Sequence, residues 1–401
     1  MPDAGRRPSL WPLLISCSAI LAISLGIRHG FGIYLAPMSQ DNGWGREVFA
    51  FAIALQNLVW GAAQPFTGRI ADRYGAGRAV ALGSVFYVAG LIGMASIASA
   101  SGFVLVTGLL LGIGLAGTSF SVVFGAVGRA VAPEKRSMAL GISGAVGSFG
   151  QFVMLPMGQS VMEAVGWSVA LMLLAALAAA MLPLSFAVSE RNASAHAPTE
   201  MSAGEALRTA SRHGGFWLLS LGFFVCGFQV VFIGTHLPAF LVDKGLSGSS
   251  GAAVLALVGL FNIVGSFLAG YLGTRMRKGW LLSAIYFCRA IAIVLFVFLP
   301  VTTVSAWAFG IAMGFLWLST VPVTNAVVAG IFGVRNMSML GGIVFFCHQI
   351  GAFLGSWLGG YVYDRLGSYD LVWLIAIGLS LVAALLNLPV KEELVPRLRP
   401  A

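Results

Sequence analysis

Arg28, Arg289 and His348 each stand in a long apolar run, and a further run carries Gln229 and, two helical turns later, His236. None of the 14 Asp and Glu residues lies deep inside such a run; all fall at ends, loops or tails. An ionisable side chain at membrane depth costs about 2.5 kcal/mol or more to insert, which makes these groups functional candidates. Cations without protein carboxylates need a counter-ion, so the chemistry this set suits is electrostatic capture of an anion. His348 and His236 add imidazoles, the side-chain type whose unperturbed pKa lies nearest neutral pH, whereas His29, beside Arg28, points to another side of its helix. Arg289 suits packing or snorkelling equally well. The polar residues Gln56, Asn57, Gln151, Gln229, Asn262 and Asn325 suit either cavity lining or hydrogen bonds between helices. Tyr34, Phe120 and Trp317 suit cavity lining or packing. Covalent and metal chemistry find no support: there is no ligand cluster, no glycine loop ahead of a Lys, and no triad with an acid inside. No cofactor, no metal and no enzymatic activity are expected.

The elements that must position these groups follow from composition. The 401 residues are 58% hydrophobic and only 9% charged, against about 25% charged in a soluble domain. Apolar runs long enough for a bilayer crossing occupy 11–38, 47–67, 79–98, 102–132, 137–162, 167–188, 214–241, 250–273, 279–300, 303–331, 337–363 and 369–390. Twelve transmembrane helices result, an all-α membrane protein. Strand-like alternation is absent and the 52 glycines favour close helix contacts over a β-barrel. With a cytoplasmic N-terminus, cytoplasmic segments hold 18 of the 23 Lys and Arg residues, and the opposite side holds only Arg46, Lys244 and Arg365. This bias predicts a multi-pass inner-membrane protein with both termini inside. It also absorbs the net charge of +9, so nucleic acid is not an expected partner. Arg6 and Arg7 precede a run without a cleavage site, read as a retained first span. The four cysteines read as small packing residues.

The polar interval 189–213 divides the chain. The expected units are a six-helix bundle over 1–188, a cytoplasmic linker over 189–213, a second six-helix bundle over 214–391 and a tail over 392–401. Ser202 and Glu205 have capping-box spacing and predict a short helix ahead of the seventh span. The halves echo one another: "KRSMALGISG" opens the fifth span and "VRNMSMLGGI" the eleventh. Repeated six-helix halves are a transporter architecture, with substrate held between them near the midplane.

A resemblance sharpens this. "GRIADRYGAGR", residues 68–78, is similar to the loop signature of the major facilitator superfamily, with Gly68, Asp72, Arg73, Gly75 and Arg78 matching. The family implies two pseudo-symmetric six-helix halves and a gating role for this loop, whose carboxylate closes the cytoplasmic seam. In the second half Thr274 replaces the Asp and Arg277 the glycine, so gating is expected mainly from the first half. "APEKRSMALGISGAVGSFGQF" resembles the helix 4–5 signature of monocarboxylate porters, through Lys135, Arg136, Ala139, Gly141, Gly147 and Gly150. The acidic-Gly-Trp signature of the eukaryotic porters is missing. Gly108 stands where proton-coupled drug exporters carry an Arg. In the related oxalate porter a substrate-binding Lys occupies the position of His348, and a family Arg on helix 8 is replaced by Ser266. Helix 1 lines the cavity in this family, so Arg28 and His348 are expected to supply one anion-binding group from each half.

The expected function is secondary transport of a small organic anion, with a monocarboxylate favoured, by alternating access. Protons or a counter-anion would be the coupled species, and the unit a monomer. Efflux of an amphipathic or drug-like compound is the alternative, and a non-transporting membrane sensor the remote one.

Overall fold

The structure is a computed structural model that describes residues 10–130, 133–188, 203–332 and 337–393. In the first half, α1 (Leu10–His29) passes through a 3-10 turn (Phe31–Tyr34) into α2 (Leu35–Asp41). α3 (Arg46–Tyr74) and α4 (Ala76–Ser96) follow. α5 (Ala100–Leu105), a π turn (Val106–Leu110), α6 (Leu111–Thr118) and α7 (Phe120–Ala130) form one interrupted span. α8 (Pro133–Val165) leads to a last span built of α9 (Trp167–Ala179) and α10 (Met181–Ala187). The second half begins with the short helix expected ahead of its first span, α11 (Ala203–Ser211). It continues as α12 (Gly214–Asp243), α13 (Gly248–Leu272), α14 (Lys278–Phe298), α15 (Thr303–Leu316), α16 (Thr320–Phe332), α17 (Met337–Leu366) and α18 (Asp370–Asn387). Among the described residues ten spans are long and apolar enough to cross a membrane; α3 and α8 are the two remaining long helices, more polar because they carry the charged ends and the midplane amides. Each half thus contributes six spans. Phe186, Phe267, Val304 and Trp11 lie open on the outer surface, a side-chain belt suited to hydrocarbon rather than water.

The halves meet along two helix pairs, α3 with α17 and α8 with α13. Glycine sets their separation. A Cβ on Gly360 would meet the Cβ of Ala50 at 2.7 Å and the Cα of Glu47 at 2.8 Å, so the backbones of α3 and α17 lie flush only because no side chain intervenes. Within the first half, a Cβ on Gly150 would meet the Cα of Ala22 at 2.6 Å, and α8 crosses α1 there.

The fourth span of each half is broken at the same place, at Ser119 in one and across Trp317–Ser319 in the other. The apolar runs 102–132 and 303–331 give no sign of it. Backbone groups freed at membrane depth must be satisfied by protein. In the second half Asn262 accepts from the Leu318 N–H (3.0 Å), while Arg289 donates to the carbonyls of Leu316 (2.6 Å) and Trp317. In the first, the Thr67 hydroxyl donates to the Ala116 carbonyl (2.9 Å), and the Trp60 indole holds the Ser119 side chain at the break (3.0 Å).

Candidate functional site

Arg28, near the end of α1, is the buried cation with the fewest protein partners among the candidates. Its Nη2 donates to the Asn57 side chain at 2.9 Å, and its Nε has no partner. Asn57 is oriented by its own bond to the Ile53 carbonyl (2.7 Å). Among the described residues no carboxylate pairs with Arg28. Gln56, on the same turn of α3, donates to the Thr107 carbonyl at 3.4 Å and leaves its Oε1 unpartnered. The Tyr34 hydroxyl is also buried without a partner, close to Gly158 of α8. His29 turns away and bonds the Leu25 carbonyl (2.7 Å).

The second-half candidates divide into three groups. Arg289, wholly buried, donates to Leu316, Trp317 and the Gln229 Oε1 (3.3 Å), and Gln229 in turn donates to the Ala376 carbonyl (2.9 Å). This joint cements α12, α14, α15 and α18. Of the readings open to Arg289 it favours packing, and it engages Gln229 in the same framework. His348 sits between the rings of Phe345 (5.5 Å, stacked) and Phe223 (4.7 Å), with its Nδ1 3.2 Å from Gln349 Oε1. Phe345 also meets Trp60 of α3 edge-on, which brings the His348 wall to the opposite half. Gln151 and Asn262 stand at the α8–α13 seam, where Gln151 donates to the Leu255 carbonyl (3.1 Å) and Asn262 to the Ser148 hydroxyl (3.2 Å). Ser266 donates to Asn262 (3.2 Å), and Asn325 bonds its own helix at Val321. The Trp317 indole nitrogen is buried and unpartnered; Phe120 packs on Phe124.

Of the signature loop, Gly68 lies in α3, and Gly75 joins α3 to α4 with φ +92°, in the region that favours glycine. Arg78 is exposed in α4. The side chains of Asp72, Arg73, Lys135 and Arg136 lie outside the described residues.

His236 is not gathered with Arg28 or His348. Its Nε2 meets the Ser356 carbonyl (2.7 Å) and its Nδ1 the Tyr369 hydroxyl (3.3 Å). That hydroxyl belongs to a charged junction between the halves. Arg46, opening α3, clamps Asp243 at the end of α12 through both terminal nitrogens (2.6 and 2.7 Å), donates to Tyr369 (3.0 Å) and stacks on Tyr363 (3.8 Å to the ring centre). Burial acts against the charge of Arg46, but Asp243 and Tyr369 together hold its pKa above the ordinary arginine value. Asp364 of α17 accepts from the N–H groups of Arg46 (3.0 Å) and Glu47 (2.7 Å), capping the positive end of α3 from the other half. The Trp357 indole donates to Glu47 (3.0 Å) and the Ser356 hydroxyl to the Ala50 carbonyl (2.9 Å).

The candidate list omits this lock, yet a signal for it exists. Residues 360–367, "GYVYDRLG", repeat the Gly, Asp, Arg and Gly spacing of "GRIADRYG" at 68–75. Both closing glycines have positive φ, +67° at Gly367 and +92° at Gly75.

The comparisons agree with this architecture. The Major Facilitator Superfamily model matches residues 13–321. Over 398 residues the chain is 26% identical to the uncharacterized MFS-type transporter YcxA of Bacillus subtilis (strain 168), covering 93% of this chain and 94% of that protein. It is 24% identical to monocarboxylate transporter 11 of Mus musculus over 398 residues, 93% and 85% of the two chains. It is also 24% identical to monocarboxylate transporter 13 of Bos taurus over 390 residues, 94% and 87%. A bacterial homolog of the human lysosomal transporter Spinster, crystallised in an inward-facing and occupied conformation, shares the fold with a TM-score of 0.76 over 98% of this chain and 100% of that one, at 14% identity. With the family model matching most of its length and two six-span halves around a buried cation, the chain belongs to the Major Facilitator Superfamily of membrane transporters.

Proposed function

We propose that this transporter moves a small organic anion, a monocarboxylate by preference, through alternating access between its two halves. The observation that carries the reading is Arg28, a buried guanidinium with an amide on one nitrogen, an unpartnered Nε and no paired carboxylate among the described residues. Burying a cation without its counter-charge is costly, and a bound carboxylate would supply that charge in a geometry that suits the guanidinium fork. Asn57 orients Arg28, and Gln56 and Tyr34 offer further polar contacts. His348 presents an imidazole from the second half. The matched monocarboxylate transporters support the substrate class.

Both termini are placed in the cytoplasm by the Lys and Arg bias, which puts the Arg46 junction on the outer side. In that orientation the structure is closed outside. The two Gly–Asp–Arg–Gly loops then act at opposite ends: Asp364 seals the outer seam and Asp72 is its counterpart at the cytoplasmic seam. The transporter works as a monomer in the inner membrane, with a proton or a counter-anion as the coupled species. Export of an amphipathic or drug-like compound is the weaker alternative, because such cargo calls for a midplane acid.

Purified protein screened against small carboxylates by thermal shift tests the reading, since a ligand bound to the folded state raises apparent stability. Stabilisation by a carboxylate in the wild type and none in Arg28→Ala is the expected outcome. Equal stabilisation of both would remove Arg28 from the site.

A further inference from the structure

His236 sits in a hydrogen-bond chain whose direction is fixed by chemistry. The Ser356 carbonyl can only accept, so Nε2 carries the proton in their 2.7 Å contact. In a neutral ring Nδ1 is then an acceptor, and Tyr369 donates its hydroxyl hydrogen to it across 3.3 Å. A phenol keeps its hydrogen near neutral pH, so that hydrogen stays in place. The Tyr369 oxygen accepts in turn from Arg46 at 3.0 Å, and Arg46 holds Asp243. The sense of donation runs one way, from Arg46 to Tyr369 to His236 to Ser356.

We infer that His236 is a proton-binding site that sets the strength of the Arg46 junction. A second proton on the ring can bind only at Nδ1. There it meets an oxygen that already accepts from Arg46, leaves the Tyr369 hydrogen without an acceptor, and sets an imidazolium one oxygen atom away from a guanidinium. The ring cannot swing to a new acceptor, because it lies flush on the Gly359 backbone of α17 and against Phe232.

The charged and titratable neighbours support this sign. α3 contributes Arg46, with Glu47 turned to Trp357. α17 contributes Tyr363, whose ring packs at a tilt on Tyr369 at 4.7 Å, and Asp364, engaged by the α3 N–H groups. α12 contributes Asp243, paired with Arg46, and Lys244 beyond it lies over the Phe240 ring. The carboxylates are therefore occupied by the junction itself, and the neighbour that His236 meets through Tyr369 is a cation. A proton on His236 favours the separated halves, so acid opens this end. The inference rests on the gating role proposed for the Arg46 end and requires no particular cargo.

The test uses the full chain in nanodiscs with nitroxide labels at Gln40→Cys and Leu366→Cys, exposed positions on opposite halves at this end, in a Cys288→Ser, Cys347→Ser background. Distance distributions are recorded from about pH 8 to about pH 5, across the range in which histidine titrates. For each pKa unit by which separation raises the proton affinity of His236, the open-to-closed ratio rises about tenfold on acidification. His236→Gln keeps a donor for Ser356 and an acceptor for Tyr369 without titrating, so it should stay closed and flatten the response. Tyr369→Phe cuts the link while leaving Arg46 on Asp243, and should flatten it too; it serves alone if the glutamine variant does not fold. A wild-type protein that stays closed in acid overturns the inference. So does full acid opening in the variants, which would assign the titration to Asp243, Asp364 or Glu47. Carboxylate uptake into proteoliposomes at fixed pH is scored separately: acid opening without uptake would sink the transport reading and leave the proton site standing.

Discussion

Two buried arginines show how partners, rather than residue type, separate a binding group from a structural one. Arg289 donates to two carbonyls of a helix break and to Gln229, and it is wholly enclosed. Removing it strands those acceptors, at about 1–3 kcal/mol for each buried group left unsatisfied. Arg289→Ala should therefore unfold several degrees below wild type in a detergent melt, whatever it does to uptake. Arg28 has a single side-chain bond and an orphaned Nε, so Arg28→Ala should keep the melting temperature within a few degrees while uptake falls by more than about tenfold. The reverse outcome, a destabilised Arg28→Ala beside an intact Arg289→Ala, would exchange the two assignments.

At the level of elements, the start of α3 and the end of α17 depend on each other. α3 opens with Gly45 at φ −65° and no side-chain cap of its own; Asp364 supplies the cap from the opposite half. A Cβ on Gly45 would collide with that carboxylate. Asp364→Asn keeps the shape and loses the charge facing the helix dipole, a change of about 1 kcal/mol. It should raise the open fraction at this end roughly fivefold, read as faster modification of a cysteine replacing Ser356, which is buried at the α3–α17 seam, by an impermeant thiol reagent. Gly367→Ala acts one turn further on. At φ +67° an alanine costs roughly 1–2 kcal/mol, and the same assay should show the same direction. Unchanged modification rates in both variants would mean that the α3 cap does not contribute to closure.

For the whole molecule, the junction weights one arrangement of the halves against the other. The Arg46–Asp243 pair is bidentate and its side chains are 12% and 28% exposed. A fully buried pair broken on one side costs about 3–5 kcal/mol, and partial exposure reduces that to roughly 1–2 kcal/mol here. Asp243→Asn should therefore shift the balance of closed and open forms by about one order of magnitude, with carboxylate binding in detergent retained. The shift should shrink in high salt, because the wild-type pair is itself partly screened. Loss of binding with no change in label distances would place Asp243 in the substrate site instead.

The fold class was legible from residues alone because membrane insertion is decided locally: each apolar run carries enough transfer free energy to be counted without knowing its neighbours. The absence of acids beside Arg28 and the signature loop at 68–78 were legible for the same reason. What α3 and α17 do for each other was not. Arg46 meets Asp243 across 197 positions and Asp364 across 318, and no local periodicity encodes such a pairing. The "GYVYDRLG" string at 360–367 hinted that something happens there but not with whom. The same limit governed Arg289, Gln229 and His236, which share composition and depth with Arg28. Only the packing of helices within each half decides which of these polar groups find protein partners, because a hydrogen bond depends on tenths of an ångström between segments that sequence distance does not measure.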